Sequence, residues 1–198
     1  MKLYYSPGAC SLAARISLHE AGIVAEFERV DLKAKITETG GDYTAINPAG
    51  SVPLLVLDDG TSITENVAVL DLIAQREPRL GVGGPLGRTR LIEMLSYLST
   101  ELHIAFKPFW RAANAAEKDD ATQAVAKRLT LLENRIVEPY LFGPDFTIAD
   151  AYLFVMLRWA KAFGLIIPPR LLKQFQQTSQ RSSVQQALAE EAEPALHD

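Results

Sequence analysis

The chain has little of what secreted, membrane-spanning or nucleic-acid-binding proteins are rich in. Cysteine occurs once in 198 residues, as Cys10. That excludes an internal disulfide and any multi-cysteine metal site, so no metal is expected. A reducing compartment, the cytosol, is the expected location. Long apolar runs are missing: the longest, Ala151 to Leu157, falls far short of the roughly 20 residues a membrane helix needs. No membrane contact is expected. The N-terminus opens on a strand-like Lys2-Leu3-Tyr4-Tyr5 rather than a charged segment followed by an apolar one, so no targeting leader is expected. Basic blocks are absent too, and a net charge of −4 with a pI near 5.5 argues against a nucleic-acid partner.

What is present suffices for a packed core. Hydrophobic residues make up 48% and charged residues 22% of the chain, a balance that excludes wholesale disorder. The first part alternates in type. Leu3 to Tyr5 reads as a strand, broken by Pro7-Gly8. Cys10 to Ala21 carries a helical stripe of Leu12, Ile16 and Leu18, ended by Gly22 as a left-handed cap. Phe27 to Leu32 alternates apolar and charged residues, as a half-buried strand does. Thr39 to Pro48 is turn-rich, with room for one short helix. Leu54 to Leu57 and Thr61 to Ile63 flank the hairpin turn Asp58-Asp59-Gly60, and Glu65 to Gln75 is helical. The expected order is β-α-β-α-β-β-α.

Four glycines and two prolines crowd Pro78 to Gly87, marking a linker over 79–86 between domains at 1–78 and 87–198. Everything beyond reads as helix. Leu91, Met94, Leu95, Leu98 and Leu102 share one face, as do Val125, Leu129, Leu132 and Ile136. Ala149 to Ala160 is apolar nearly all round and should be the central helix of a bundle. Thr147 and Asp150 fit a capping box, which makes Asp150 structural rather than catalytic. Ser183 and Gln186 form a second such pattern.

Several residues carry chemistry. Cys10 sits at a helix start, where backbone N–H groups and the helix dipole favour a thiolate; the alternative is a small buried hydrophobe. Val52-Pro53 precedes a strand. A trans bond is the ordinary expectation, whereas a cis bond would turn the Val52 N–H and C=O toward an extended peptide. Glu65-Asn66 opens a helix that Thr64 or Asn66 would cap, and whose N-terminus also suits a carboxylate. Lys35 is a loop lysine. His103, beside an apolar stripe, is able to donate to a thiolate; the alternative is a structural histidine. His19 and His197 read as surface residues. Phe106, Phe109 and Trp110, with Trp159, would either form an apolar substrate wall or belong to the core.

Taken together, the opening Met1 to Leu12, the Asn47-Pro48 to Val52-Pro53 stretch, Leu57 to Gly60, Thr64-Glu65, Glu101-Leu102-His103 and Phe146 to Phe154 resemble the glutathione transferases, specifically the bacterial beta class. The resemblance implies an α/β plus all-α protein: a thioredoxin-like N-terminal domain followed by an all-helical C-terminal bundle, as a homodimer. It implies glutathione as co-substrate. Cys10 and His103 would approach its sulfur, Val52 before a cis Pro53 would pair with its backbone, Lys35 would hold the glycine carboxylate, and Glu65 and Asn66 the γ-glutamyl end. Tyr5, Ala9 and Ser11 would line the sulfur site, with Tyr5 and Ser11 as further hydroxyl donors. Residues Ser96, Thr100 and Glu101 would approach the site, some across the dimer.

Three positions depart from the family pattern. Ile104 stands after His103 where a lysine is common, Ser96 where asparagine is common, and Asn66 where serine or glycine is usual. The expected reaction is addition of the glutathione sulfur to small apolar electrophiles. Thiol–disulfide exchange through Cys10, and a non-catalytic binding scaffold of the same fold, are the alternatives.

Overall fold

The computed structural model describes residues 1–111 and 114–192; His197 and the last residues of the expected helical domain lie outside them. Alternation of buried and exposed positions builds the first half. The strands are β1 (Lys2–Tyr5), β2 (Glu26–Asp31), β3 (Ile36–Thr37), β4 (Leu54–Val56) and β5 (Ser62–Thr64). They form one sheet in the order β3-β2-β1-β4-β5. β1 and β2 run parallel because α1 (Ser11–Ala21) crosses between them, while β4 and β5 pair antiparallel around the expected hairpin turn. The two-residue β3, with exposed Ile36, is absent from the sequence expectation.

Each face of the sheet buries its own set. On one, Leu12 and Ile16 of α1 pack with Leu3, Leu55 and the Val69, Leu70 and Ile73 side of α3 (Asn66–Arg76). Fully burying each of these large side chains is worth about 1.5–3 kcal/mol. Gly22 ends α1 at φ 66°, a conformation glycine adopts without steric cost. On the other face, Tyr4, Val30, Val52 and Leu54 cluster on Tyr43 of the short α2 (Tyr43–Ile46).

After a single 3₁₀ turn, Pro78–Leu80, the chain is helical. α4 (Gly87–Tyr97) continues through a π-helical turn, Leu98–His103, into α5 (Lys107–Trp110). Then follow α6 (Ala115–Glu133), α7 (Ile148–Ala162), α8 (Pro169–Ser179) and α9 (Ser182–Glu191). α7 is the expected central helix: every residue from Ile148 to Leu157 is buried. Asp150 there is structural. It accepts from Thr147 N at 2.9 Å and Thr147 Oγ1 at 2.7 Å, closing the capping box, and from Leu141 N and Gln174 Nε2. α1 packs against α3, α7 and α9, so the two halves meet along it. Among the described residues no helix is long and apolar enough to cross a membrane.

Two local expectations need correction. Ser183 does not cap α9; its hydroxyl donates to Glu20 of α1, a tertiary contact that outcompetes the local one. His19 is partly buried rather than on the surface, 2.8 Å from Glu190 Oε2 and against the Phe27 ring.

Candidate active site

The site forms where the strand ends of β1 and β4 meet the helical half. β1 ends at Tyr5, and a tight turn carries the chain into α1. Ala9 N–H donates to Ser6 O at 3.0 Å, and the Ser11 hydroxyl accepts from Ser6 N–H at 3.2 Å. This turn puts Cys10 at the N-cap of α1. The peptide groups of Gly8 are held from the other half of the molecule. Its N–H donates to Glu191 Oε2, and its carbonyl accepts from Trp159 Nε1, each at 2.8 Å.

Cys10 faces the loop that leads into β4, its thiol donating to Val52 O at 3.5 Å. The Val52-Pro53 bond is cis, and the Val52 N–H has no acceptor among the described residues. Lys35, at φ 60° in the loop after β2, reaches back so that its Nζ donates to Gly50 O at 2.7 Å. Gly50 permits that approach: a Cβ there would lie 3.2 Å from Lys35 Nζ and Cε. His103 closes the far side, ringed by Trp159 at 4.9 Å, Trp110 at 5.8 Å and Tyr152 at 6.2 Å between centroids. Cys10, Val52, Lys35, Gly50, His103, Trp110 and Trp159, with the Ser6–Ala9 turn and Leu32, line a cavity of about 650 Å³, within the roughly 300–1,000 Å³ usual for small-molecule sites.

Electrostatics corrects the expectation of a Cys10 thiolate. Burial pushes the thiol up to about 11, against the opposing pull of the Cys10 and Ser11 backbone N–H groups, and the charge of Glu65 raises it further. Desolvation outweighs the helix N-terminus here. His103 moves the other way. Burial among the aromatic rings lowers it to about 4, with the charge of Lys107 adding to the effect. Both groups are therefore neutral hydrogen-bond donors near neutral pH. The positive charge missing at Ile104 reappears at Lys107, one turn further on and close enough to act on His103.

Other expected residues lie around this cavity rather than in its wall. Glu65 is the exposed N-cap residue of α3, at φ 65° with no side-chain cap bond, so neither Thr64 nor Asn66 caps that helix. Asn66 is buried with both amide atoms unpaired among the described residues. Tyr5 is buried, its ring 4.4 Å from the Arg15 guanidinium. Ser11 is engaged within its own turn. Ser96, Thr100 and Glu101 sit along the helix leading to His103: Thr100 bonds to Ser96 O at 2.9 Å, and Glu101 pairs with Arg128 at 2.9 Å.

The aromatic wall differs from expectation. Phe106 is fully buried in the core and Phe109 stacks on Phe163 at 4.8 Å, so neither lines the cavity. Trp110 and Trp159 do, 4.5 Å apart edge to face. Sequence reasoning missed Tyr152, whose hydroxyl lies 2.8 Å from His103 Nδ1. Its one sequence signal is a hydroxyl-bearing ring in a helix otherwise apolar all round.

Fold and cavity define the class first: a thioredoxin-like sheet and a helical bundle that together enclose a thiol. A family model for the glutathione S-transferase N-terminal domain matches residues 8–76, and one for the glutathione S-transferase C-terminal domain matches residues 95–181. The chain belongs to the glutathione S-transferase family. It is 41% identical to glutathione S-transferase GstA from Escherichia coli O157:H7, over 96% of this chain and 98% of that one. Its fold is similar to that of a bacterial beta class glutathione S-transferase from Sphingomonas chungbukensis, with a TM-score of 0.91 at 41% identity over 97% and 99% of the two chains. A sphingomonad glutathione S-transferase complexed with glutathione gives a TM-score of 0.91 at 38% identity, over 98% of this chain and all of the other.

Proposed function

We propose that the protein binds glutathione beside the cis Val52-Pro53 bond at the start of β4 and adds its sulfur to small apolar electrophiles. The observation that carries this reading is the convergence on one cavity of Lys35, Val52, Cys10 and His103. A tripeptide with a carboxylate at each end and a thiol in the middle matches it. The glycine carboxylate goes to Lys35. The cysteinyl backbone pairs with the N–H and C=O of Val52. The γ-glutamyl end reaches the uncapped N-terminus of α3, where an anion is favoured, with Asn66 supplying an amide and Glu65 a partner for the ammonium.

The sulfur then lies beside Cys10 and His103. Neutral donors stabilise its thiolate without competing as nucleophiles, and the first N–H groups of α1 add to the effect. With a halonitroarene, the thiolate forms the C–S bond, halide leaves, and the proton passes to solvent. Trp110 and Trp159 offer the apolar wall over which such a ring would lie.

The finer assignments are part of the same proposal. The domains span 1–78 and 87–198, joined by 79–86. The protein works in the cytosol as a homodimer, in which exposed Thr100 faces the second subunit. Retention on immobilised glutathione and turnover of a halonitroarene test the reading. Binding without turnover would leave a scaffold instead.

A further inference from the structure

Tyr152 lies in the first half of the central helix and is fully buried, and its hydroxyl ends 2.8 Å from Nδ1 of His103. Burial holds the phenol well above its usual range. It is therefore a neutral O–H throughout the working pH range. The imidazole beside it is neutral as well, and a neutral imidazole carries its proton on one nitrogen only. Which nitrogen that is depends on whether the phenol donates or accepts.

The surroundings of the phenol oxygen decide this. Among the described residues its hydroxyl has no hydrogen-bond partner other than His103 Nδ1, and a buried O–H left without an acceptor is costly. The imidazole nitrogen is thus the acceptor within reach of the phenol's proton. His103 Nε2, the other ring nitrogen, has no partner among the described residues, and His103 lines the cavity.

We propose that Tyr152 is a positioning residue: its O–H donates to His103 Nδ1, fixes the Nε2–H tautomer, and thereby presents an N–H to the cavity beside Cys10. A thiolate accepts from that N–H. The opposite tautomer would offer it a lone pair and repel it. The inference rests on the reading of His103 as donor to the glutathione sulfur. The tautomer itself is a property of the unliganded protein, so the two fail separately.

Nitrogen NMR of protein labelled with ¹⁵N-histidine, at neutral pH and without glutathione, tests it. The His103 signals are those lost in His103→Gln. The expected spectrum has an unprotonated Nδ1 and a protonated Nε2. In Tyr152→Phe, which removes only the hydroxyl, the two signals move toward each other as the tautomers mix. The expected kinetic effect is a fall in kcat of about tenfold, the size of one hydrogen bond, with KM for glutathione little changed. A ring protonated on Nδ1 in the unaltered protein overturns the proposal. So does a Tyr152→Phe protein whose His103 tautomer is unchanged, whatever its activity. Should that variant not fold, the spectrum of the unaltered protein decides alone.

Discussion

The indole N–H of Trp159 donates to the carbonyl of Gly8 at 2.8 Å, tying α7 to the turn that sets Cys10 in place. Two surfaces of one side chain are thus in use: the N–H fixes the turn, and the ring walls the cavity. Trp159→Phe keeps an aromatic wall and removes the bond. The expected cost in stability is about 1 kcal/mol, that of one neutral hydrogen bond. KM for the electrophile should rise several-fold and KM for glutathione less. Denaturant unfolding and steady-state kinetics check both. A rise confined to glutathione would contradict the placement of the electrophile beside Trp159.

Lys35 crosses Gly50 with its ammonium held at the cavity edge. Lys35→Met keeps the length of the stem and removes the charge. Loss of one charge-assisted hydrogen bond, about 1.5–3 kcal/mol, should raise KM for glutathione by roughly tenfold to a hundredfold with kcat nearly unchanged. The unaltered protein should bind less tightly as salt is added, and the variant should lose much of that dependence. Glutathione titrations at low and high ionic strength measure it. An unchanged KM would remove Lys35 from the cradle.

The sequence disclosed the elements whose local signals agree with their tertiary setting. Gly22 caps a helix that its own stripe already ends. Asp58-Asp59-Gly60 turns between strands that pair only with each other and β1. Thr147 and Asp150 cap a helix whose burial its composition announces. Failures share one cause, a partner distant in sequence. Ser183 has the spacing of a cap, but Glu20 takes its hydroxyl. Phe106 and Trp110 are one turn apart and look equivalent, yet one is core and the other cavity wall. The π-helical turn at Leu98–His103 breaks the 3.6-residue register that sequence reasoning assumes. Tyr152 reads as one more core aromatic until His103 is placed against its hydroxyl. That Cys10, Lys35 and Val52 would line one cavity was legible because each belongs to a short loop motif. The protonation of Cys10 was not, because burial is a property of the finished fold.

That burial makes a prediction about Cys10. A thiol pushed up to about 11 is almost wholly protonated at neutral pH, and a thiol is a weak nucleophile. Modification of unliganded protein by a disulfide reagent should be slow near neutrality. Its rate should climb with pH toward about 11, with no earlier step. Cys10→Ala removes a donor rather than a nucleophile, so conjugation should fall by less than about tenfold. Rapid modification at neutral pH, with loss of nearly all turnover in Cys10→Ala, would point to covalent chemistry at Cys10 instead.

His103 gives the pH dependence of stability its sign. In the folded protein it takes up a proton only near pH 4, whereas the unfolded chain does so near 6.5. Between those values the unfolded state binds more protons, so stability falls as pH falls through the window. Above pH 6.5 the group contributes no penalty, and below about 4 the penalty is constant. Its full size is roughly 3 kcal/mol. Carboxylates add losses of their own toward the acid end. Glu20, despite its burial, is held below its usual range by Arg181 and Ser183, and Glu28 by Thr39 and Lys2. The comparison that isolates the imidazole is therefore a difference. Denaturant unfolding of the unaltered protein and of His103→Gln, each at about pH 7 and about pH 4.5, supplies it. His103→Gln should lose about 2–3 kcal/mol less over that interval. Equal losses would mean that the imidazole charges as readily in the fold as outside it, and that the aromatic ring around it does not keep it neutral.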